Sequence, residues 1–107
     1  AQAHGALMVD IEHRYYGESY PTATDMTNEH LADYLTSEQA LADLARLVSH
    51  IVEERGAEES KVLSFGGSYP GNLAAWFRLK YPHITDGSIA SSAPLRAKTN
   101  FSEYMEA

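Results

Sequence analysis

Three glycines, a serine and a proline crowd the seven residues Phe65-Gly66-Gly67-Ser68-Tyr69-Pro70-Gly71. A chain that turns so sharply brings the strand before it and the helix after it almost into contact, so only small side chains fit at the apex. The apolar run before the turn, residues 61–65, reads as a strand. The spacing over residues 71–81 predicts a helix, with Leu73, Trp76, Phe77 and Tyr81 on its buried face and Pro82 ending it. Residues 87–94 then read as a strand of small side chains.

Upstream, residues 6–11 form an apolar run bounded by Gly5 and by charges, which predicts a buried strand. Residues 12–35 show no clear period and contain Gly17 and Pro21, so they read as a long loop; such loops tend to be functional. Thr36 and Gln39 fit a capping box, and Leu41, Leu44, Val48 and Ile51 follow on one helical face. Arg55 and Gly56 close that helix with a cation and a glycine. His50 lies off the apolar stripe and is expected at the surface. Strands alternating with helices predict an α/β fold with a parallel sheet, flanking helices and right-handed crossovers. The chain starts at Ala1 and stops in a helix-like stretch, residues 101–107. Residues 1–107 therefore read as a partial domain, an internal piece of a longer protein.

The bulk properties exclude more than they assign. A net charge of −7 with eight scattered Lys and Arg argues against a nucleic-acid partner. The chain has no cysteine, which rules out disulfides and cysteine metal sites within it. No apolar run is long enough to span a membrane. Asp10, Glu12 and His13 cluster in sequence, but without the spacing of a metal motif, so no metal and no cofactor is expected. Composition leaves the oligomeric state open.

The chemistry converges on Ser68. A serine at the apex of a strand–turn–helix stands above the sheet edge, and the next N–H, that of Tyr69, points to where an oxyanion would form. This is a nucleophile elbow, with Gly66, Gly67 and Gly71 as its small supporting residues. Pro70 stands where the G-x-S-x-G pattern has its second glycine, and Gly71 comes one later; proline suits a helix's first turn. The competing reading is a glycine-rich turn with an incidental serine. A phosphate loop fits less well, since the P-loop lysine is missing. A serine nucleophile needs a histidine and a carboxylate. His83, the one histidine after Ser68, falls about 15 Å away along the helix. The acid and base are therefore expected beyond Ala107.

Further strings complete the pattern: Glu12-His13-Arg14-Tyr15-Tyr16-Gly17-Glu18-Ser19, the stretch from Leu35 to Asp43, and Leu73-Ala-Ala-Trp-Phe-Arg78. Lys80-Tyr-Pro-His83 and Ala90-Ser-Ser-Ala-Pro94 follow. Together with the Gly66–Tyr69 turn, they closely resemble the serine carboxypeptidase S28 family, which includes lysosomal Pro-X carboxypeptidase, dipeptidyl peptidase II and thymus-specific serine protease. The resemblance covers nearly the whole chain. It implies part of an α/β-hydrolase domain, with a helical cap domain absent from this stretch. It implies a serine-type exopeptidase, prolyl carboxypeptidase or dipeptidyl peptidase, acting on peptides that contain proline. Ser68 matches the nucleophile and the Tyr69 amide an oxyanion donor, while Pro70 departs from the usual Gly or Ala. The resemblance places Glu12, Arg14, Tyr15 and Tyr16 at the active-site rim; a bracing role at a sheet edge is the other reading for Glu12 and Arg14. It also implies a lysosomal or secreted protein, which the N-glycosylation sequon at Asn100 would suit. An esterase on the same fold, or a catalytically dead relative with a binding or regulatory role, remains the alternative.

Overall fold

A computed structural model describes residues 1–21 and 26–106. The chain divides into two units, Ala1–Ile51 and Val52–Ala107.

The first unit contains helix α1 (Asn28–Tyr34) and most of helix α2 (Ser37–Glu54). Residues 6–13 carry no regular structure, which corrects the strand predicted for residues 6–11. Leu7, Met8, Val9 and Ile11 are exposed. An apolar run becomes a strand only beside a neighbour that completes its ladder, and among the described residues this run has none.

The predicted loop 12–35 holds α1, a second correction. Thr27 caps it by accepting the His30 N–H at 3.2 Å, and Glu29 lies in the first turn, where the helix dipole favours an anion. At seven residues the helix is too short for an apolar period to announce it. Residues 22–25 of that loop, and Ala107 of the helix-like end, lie outside the described residues; Ser102–Met105 form a short 3-10 turn.

Helix α2 starts as expected, with Thr36 Oγ1 accepting the Gln39 N–H at 3.2 Å. Among the described residues the return arm of the capping box is not formed: Gln39 Oε1, the atom that would accept the Thr36 N–H, accepts Arg14 Nη1 instead, while Nε2 donates to the Asp33 carbonyl at 3.0 Å. Ala40, Leu41 and Ala45 are buried, and Leu44, Val48 and Ile51 are half-buried. His50 is exposed. The helix ends in a Schellman motif: the Gly56 N–H reaches Glu53 O at 3.1 Å and the Ala57 N–H reaches Val52 O at 2.9 Å. Gly56 has φ 57°, which glycine adopts without the Cβ penalty.

The second unit is a βαβ arrangement: strand β1 (Leu63–Gly67), helix α3 (Tyr69–Lys80) and strand β2 (Gly87–Ser91). The strands are parallel, in a register from Leu63 against Gly87 to Gly67 against Ser91, and α3 packs on both. Asp86 aligns the strand starts, since its carboxylate accepts the Val62 N–H at 2.9 Å and Lys61 Nζ at 3.0 Å. Phe77 and Ala74 form the apolar centre with Gly71, Asn72 and Thr85 buried around them; Leu73, Trp76 and Tyr81 are half-buried. Ser64 and Gly66 alternate with exposed Leu63 and Phe65 along β1.

The element bounds shift from those expected. Strand β1 begins later than residue 61 and runs on through Gly66 and Gly67, because Ala90 and Ser91 lie alongside to pair with them. Helix α3 begins at Tyr69 rather than Gly71, with Pro70 in its first turn, where a missing N–H costs no helical bond. Strand β2 stops at Ser91, and Ser92 at φ 49° turns the chain away before Pro94.

Candidate active site

Between the last residue of β1 and the first of α3 stands one residue, Ser68. Its backbone sits at φ 56° and ψ −130°, a combination that costs a residue with a Cβ on the order of 1–3 kcal/mol. Bonds on both sides hold it there. The Ser68 N–H donates to Ser91 O at 2.9 Å, extending the β1–β2 ladder, and its carbonyl accepts the Asn72 N–H at 3.1 Å, the first bond of α3. Ser68 occupies the N-cap position, yet its hydroxyl makes no capping bond, and the residue is exposed. Strain at a single residue that the surrounding ladder and helix both enforce makes it a candidate for chemistry.

The supporting glycines differ in role. A Cβ on Gly66 would lie 2.1 Å from the Pro70 carbonyl oxygen, and one on Gly71 would lie 3.0 Å from both Ser91 O and Ala93 Cβ. These two positions let α3 rest on the sheet. A Cβ on Gly67 would find its nearest neighbour, Ser91 O, 4.0 Å away, so that glycine is not required by space. The atoms such a Cβ on Gly66 would meet first are the Pro70 carbonyl and the Gly71 amide, not the proline ring. Tyr69 provides the first amide of α3, at the positive end of the helix dipole.

His83 is exposed and lies beyond the other end of α3. Twelve helical residues at a rise of about 1.5 Å each separate the two ends by roughly 18 Å.

The predicted rim residues all belong to the first unit. Arg14 grips Asp43 of α2 with two parallel bonds, Nε to Oδ2 and Nη2 to Oδ1, both 2.8 Å. Its Nη1 donates to Tyr34 O at 2.9 Å and to Gln39 Oε1. Glu12 Oε2 accepts three donors: Ser19 Oγ at 2.6 Å, Ser19 N–H at 2.9 Å and Glu18 N–H at 3.0 Å. The Ser19 hydroxyl, with the Glu18 amide next, holds the Glu12 carboxyl below the usual carboxylate range. Tyr15 is buried at φ 70°, its N–H bonded to Ser19 O at 2.7 Å. Tyr16 is the member whose ring is largely exposed, packed edge-on against His13 at 5.1 Å. Glu12 and the Tyr15 N–H thus bond within residues 12–19, while Arg14 bonds to residues of α1 and α2.

Asn100 is exposed in a bend of the second unit. Among the described residues no three His, Asp or Glu gather to hold a metal ion, and no helix is long and apolar enough to cross a membrane.

Two contributors escaped sequence reasoning. Asp43 closes the Leu35–Asp43 string, but nothing in the sequence paired it with Arg14. Asn72 could have been noticed as the polar residue four positions after Ser68, on the face that α3 buries.

The sequence pattern of serine carboxypeptidase S28 matches residues 1–107. Over 93 residues, 84% of this chain, it is 54% identical to lysosomal Pro-X carboxypeptidase of Mus musculus and 53% identical to that of Homo sapiens. Over 94 residues it is 52% identical to prolyl carboxy peptidase like protein 5 of Caenorhabditis elegans, again 84% of this chain. The aligned parts make up 18–19% of those relatives, so the chain spans about a fifth of their length.

Proposed function

Because the chain belongs to the serine carboxypeptidase S28 family, we propose that it carries the nucleophile-bearing part of a serine peptidase, with Ser68 as the attacking residue. The observation that carries this reading is the conformation of Ser68: one residue, exposed and strained, between a strand and a helix, its hydroxyl unused by the helix it begins.

Ser68 Oγ attacks the scissile carbonyl as a histidine takes its proton. The bond to the leaving amine breaks, and the histidine returns the proton to it. Water then hydrolyses the acyl-enzyme and restores the serine. The Tyr69 N–H, at the start of α3, is one oxyanion donor, and one such donor supplies on the order of 2.7–4 kcal/mol of transition-state stabilisation. His83 is too far along α3 to be the base. We place the base and its carboxylate outside residues 1–107, which leaves this stretch inactive by itself. The names of the relatives support cleavage beside proline and a lysosomal setting, and an exposed Asn100 sequon suits the secretory route that leads there.

The test is made on the full-length protein. Turnover of a proline-containing peptide should far exceed that of a simple acyl ester, and a fluorophosphonate should label Ser68. Ser68→Ala should lower kcat by at least about 10³-fold with folding unchanged. Normal turnover in the alanine variant would remove Ser68 from the mechanism. A preference for the ester would make the protein an esterase, and no labelling with no turnover would make it a catalytically dead relative.

A further inference from the structure

Residue Asn72, one turn into α3, is 6% exposed, a rare degree of burial for an amide side chain. Its Nδ2 donates to the Pro94 carbonyl at 3.1 Å. A carbonyl only accepts, so the nitrogen must face it, and this sets the orientation of the amide. Its Oδ1 has no partner among the described residues. Among the described residues the side chain therefore acts through one atom, the Nδ2–H donor.

That bond closes a ring around the turn. The Ser68 N–H is bonded to Ser91 O, the Asn72 N–H to Ser68 O, and Asn72 Nδ2 to Pro94 O. Gly71 sits against Ser91 O and Ala93 Cβ. Two non-glycine residues at positive φ, Ser68 at 56° and Ser92 at 49°, lie within the ring. Beyond Ser91 the β ladder has ended, and the Leu95 N–H bond to Ala93 O is local to the segment. Among the described residues, the Asn72 amide ties the segment back onto the first turn of α3.

We propose that Asn72 is a positioning residue for the nucleophile: its Nδ2–H holds the Pro94 carbonyl, and so keeps residues 92–94 docked against the turn that carries Ser68. Asn72 does not touch the reacting atoms. It fixes the wall beside them, where a displacement near 1 Å costs about 10²-fold in rate. The inference rests on Ser68 being the nucleophile.

The decisive variant is Asn72→Asp in the full-length protein. It keeps the shape and loses the donor only when ionised; the protonated acid can again donate to Pro94 O. Ser91, Ser92, Ala93 and Pro94 carry no charge, and Tyr69 is the one titratable residue in the first turn of α3. Relative to wild type, the fluorophosphonate labelling rate and kcat of Asn72→Asp should match at acid pH. Both should fall about 10–100-fold as pH rises through the carboxyl's pKa, with KM unchanged. Asn72→Leu, which fills the same volume without a donor, should be slow at every pH. Near-UV circular dichroism identifies the folded samples. A folded Asn72→Leu protein that labels at the wild-type rate overturns the proposal, as does an Asn72→Asp to wild-type ratio that is flat with pH. If wild type is not labelled, or Ser68→Ala is labelled equally, the fault lies with the Ser68 reading instead.

Discussion

At the scale of the residue, space and backbone angle discriminate among side chains that look equivalent in sequence. Gly66 and Gly67 are neighbours of the same type, yet a methyl group on the first collides with the Pro70 carbonyl and one on the second meets open room. Gly66→Ala should therefore destabilise the full-length protein by about 2–4 kcal/mol and lower its activity, because strand and helix must part to admit the Cβ. Gly67→Ala should stay within about 1 kcal/mol of wild type. Urea unfolding of both variants measures the contrast, and equal losses would show that contact at Gly66 is not what sets the turn. Glu12 gives a second prediction. The Ser19 hydroxyl and the Glu18 amide lower its folded pKa from the ordinary 4.5, so the ionised form is the bonded form. Its contribution is fully present above about pH 4.5 and is lost as pH falls through the lowered folded value. The stability gap between wild type and Glu12→Gln should be constant at neutral pH and close below that value. A gap that widened on acidification would contradict the assignment.

At the scale of the element, helices α1 and α2 are tied by side chains that the hydropathy pattern does not reveal. Arg14 reaches the end of α1 at Tyr34 O and the side chains of Gln39 and Asp43 on α2, with its own side chain only 15% exposed. The planar guanidinium makes these bonds together because its donors are fixed in a fork. Lysine carries the same charge but cannot pair with both Asp43 oxygens and Tyr34 O in that geometry. Arg14→Lys should cost roughly 1–2 kcal/mol, read by thermal unfolding. A variant as stable as wild type would show that charge alone suffices. The capping of α2 follows the same logic: Thr36 performs its expected half, while Gln39 is drawn to Asp33 O and Arg14 because these partners are in reach.

At the scale of the whole molecule, the two-stranded sheet leaves apolar side chains in water. Leu63 and Phe65 of β1 and Ile89 of β2 are exposed, as are Leu7, Met8, Val9 and Ile11 of the first unit. Exposed apolar side chains of this kind on a sheet with open edges favour association. Residues 1–107 expressed alone should bind a hydrophobic dye, aggregate, and show no peptidase activity. A monomeric, cooperatively unfolding and active 107-residue product would refute the placement of the catalytic base elsewhere.

The elements made by local rules were legible in sequence. These are the amphipathic α2 with its Thr36 start and Gly56 end, the parallel β1–α3–β2 order, and Ser68 at the apex of a small-residue turn. Periodicity, capping chemistry and glycine's lack of a Cβ act over a few neighbouring residues, so these features can be read along the chain without knowing what it packs against. Tertiary structure decided what depends on distant partners. Residues 6–11 are apolar enough for a strand but have no ladder beside them among the described residues, whereas Gly66 and Gly67 are poor strand formers that pair because Ala90 and Ser91 lie alongside. The bonds from Arg14 to Asp43 and from Asn72 to Pro94 join residues 29 and 22 positions apart. Hydrogen bonds require partners in space, and only the folded chain brings those partners together.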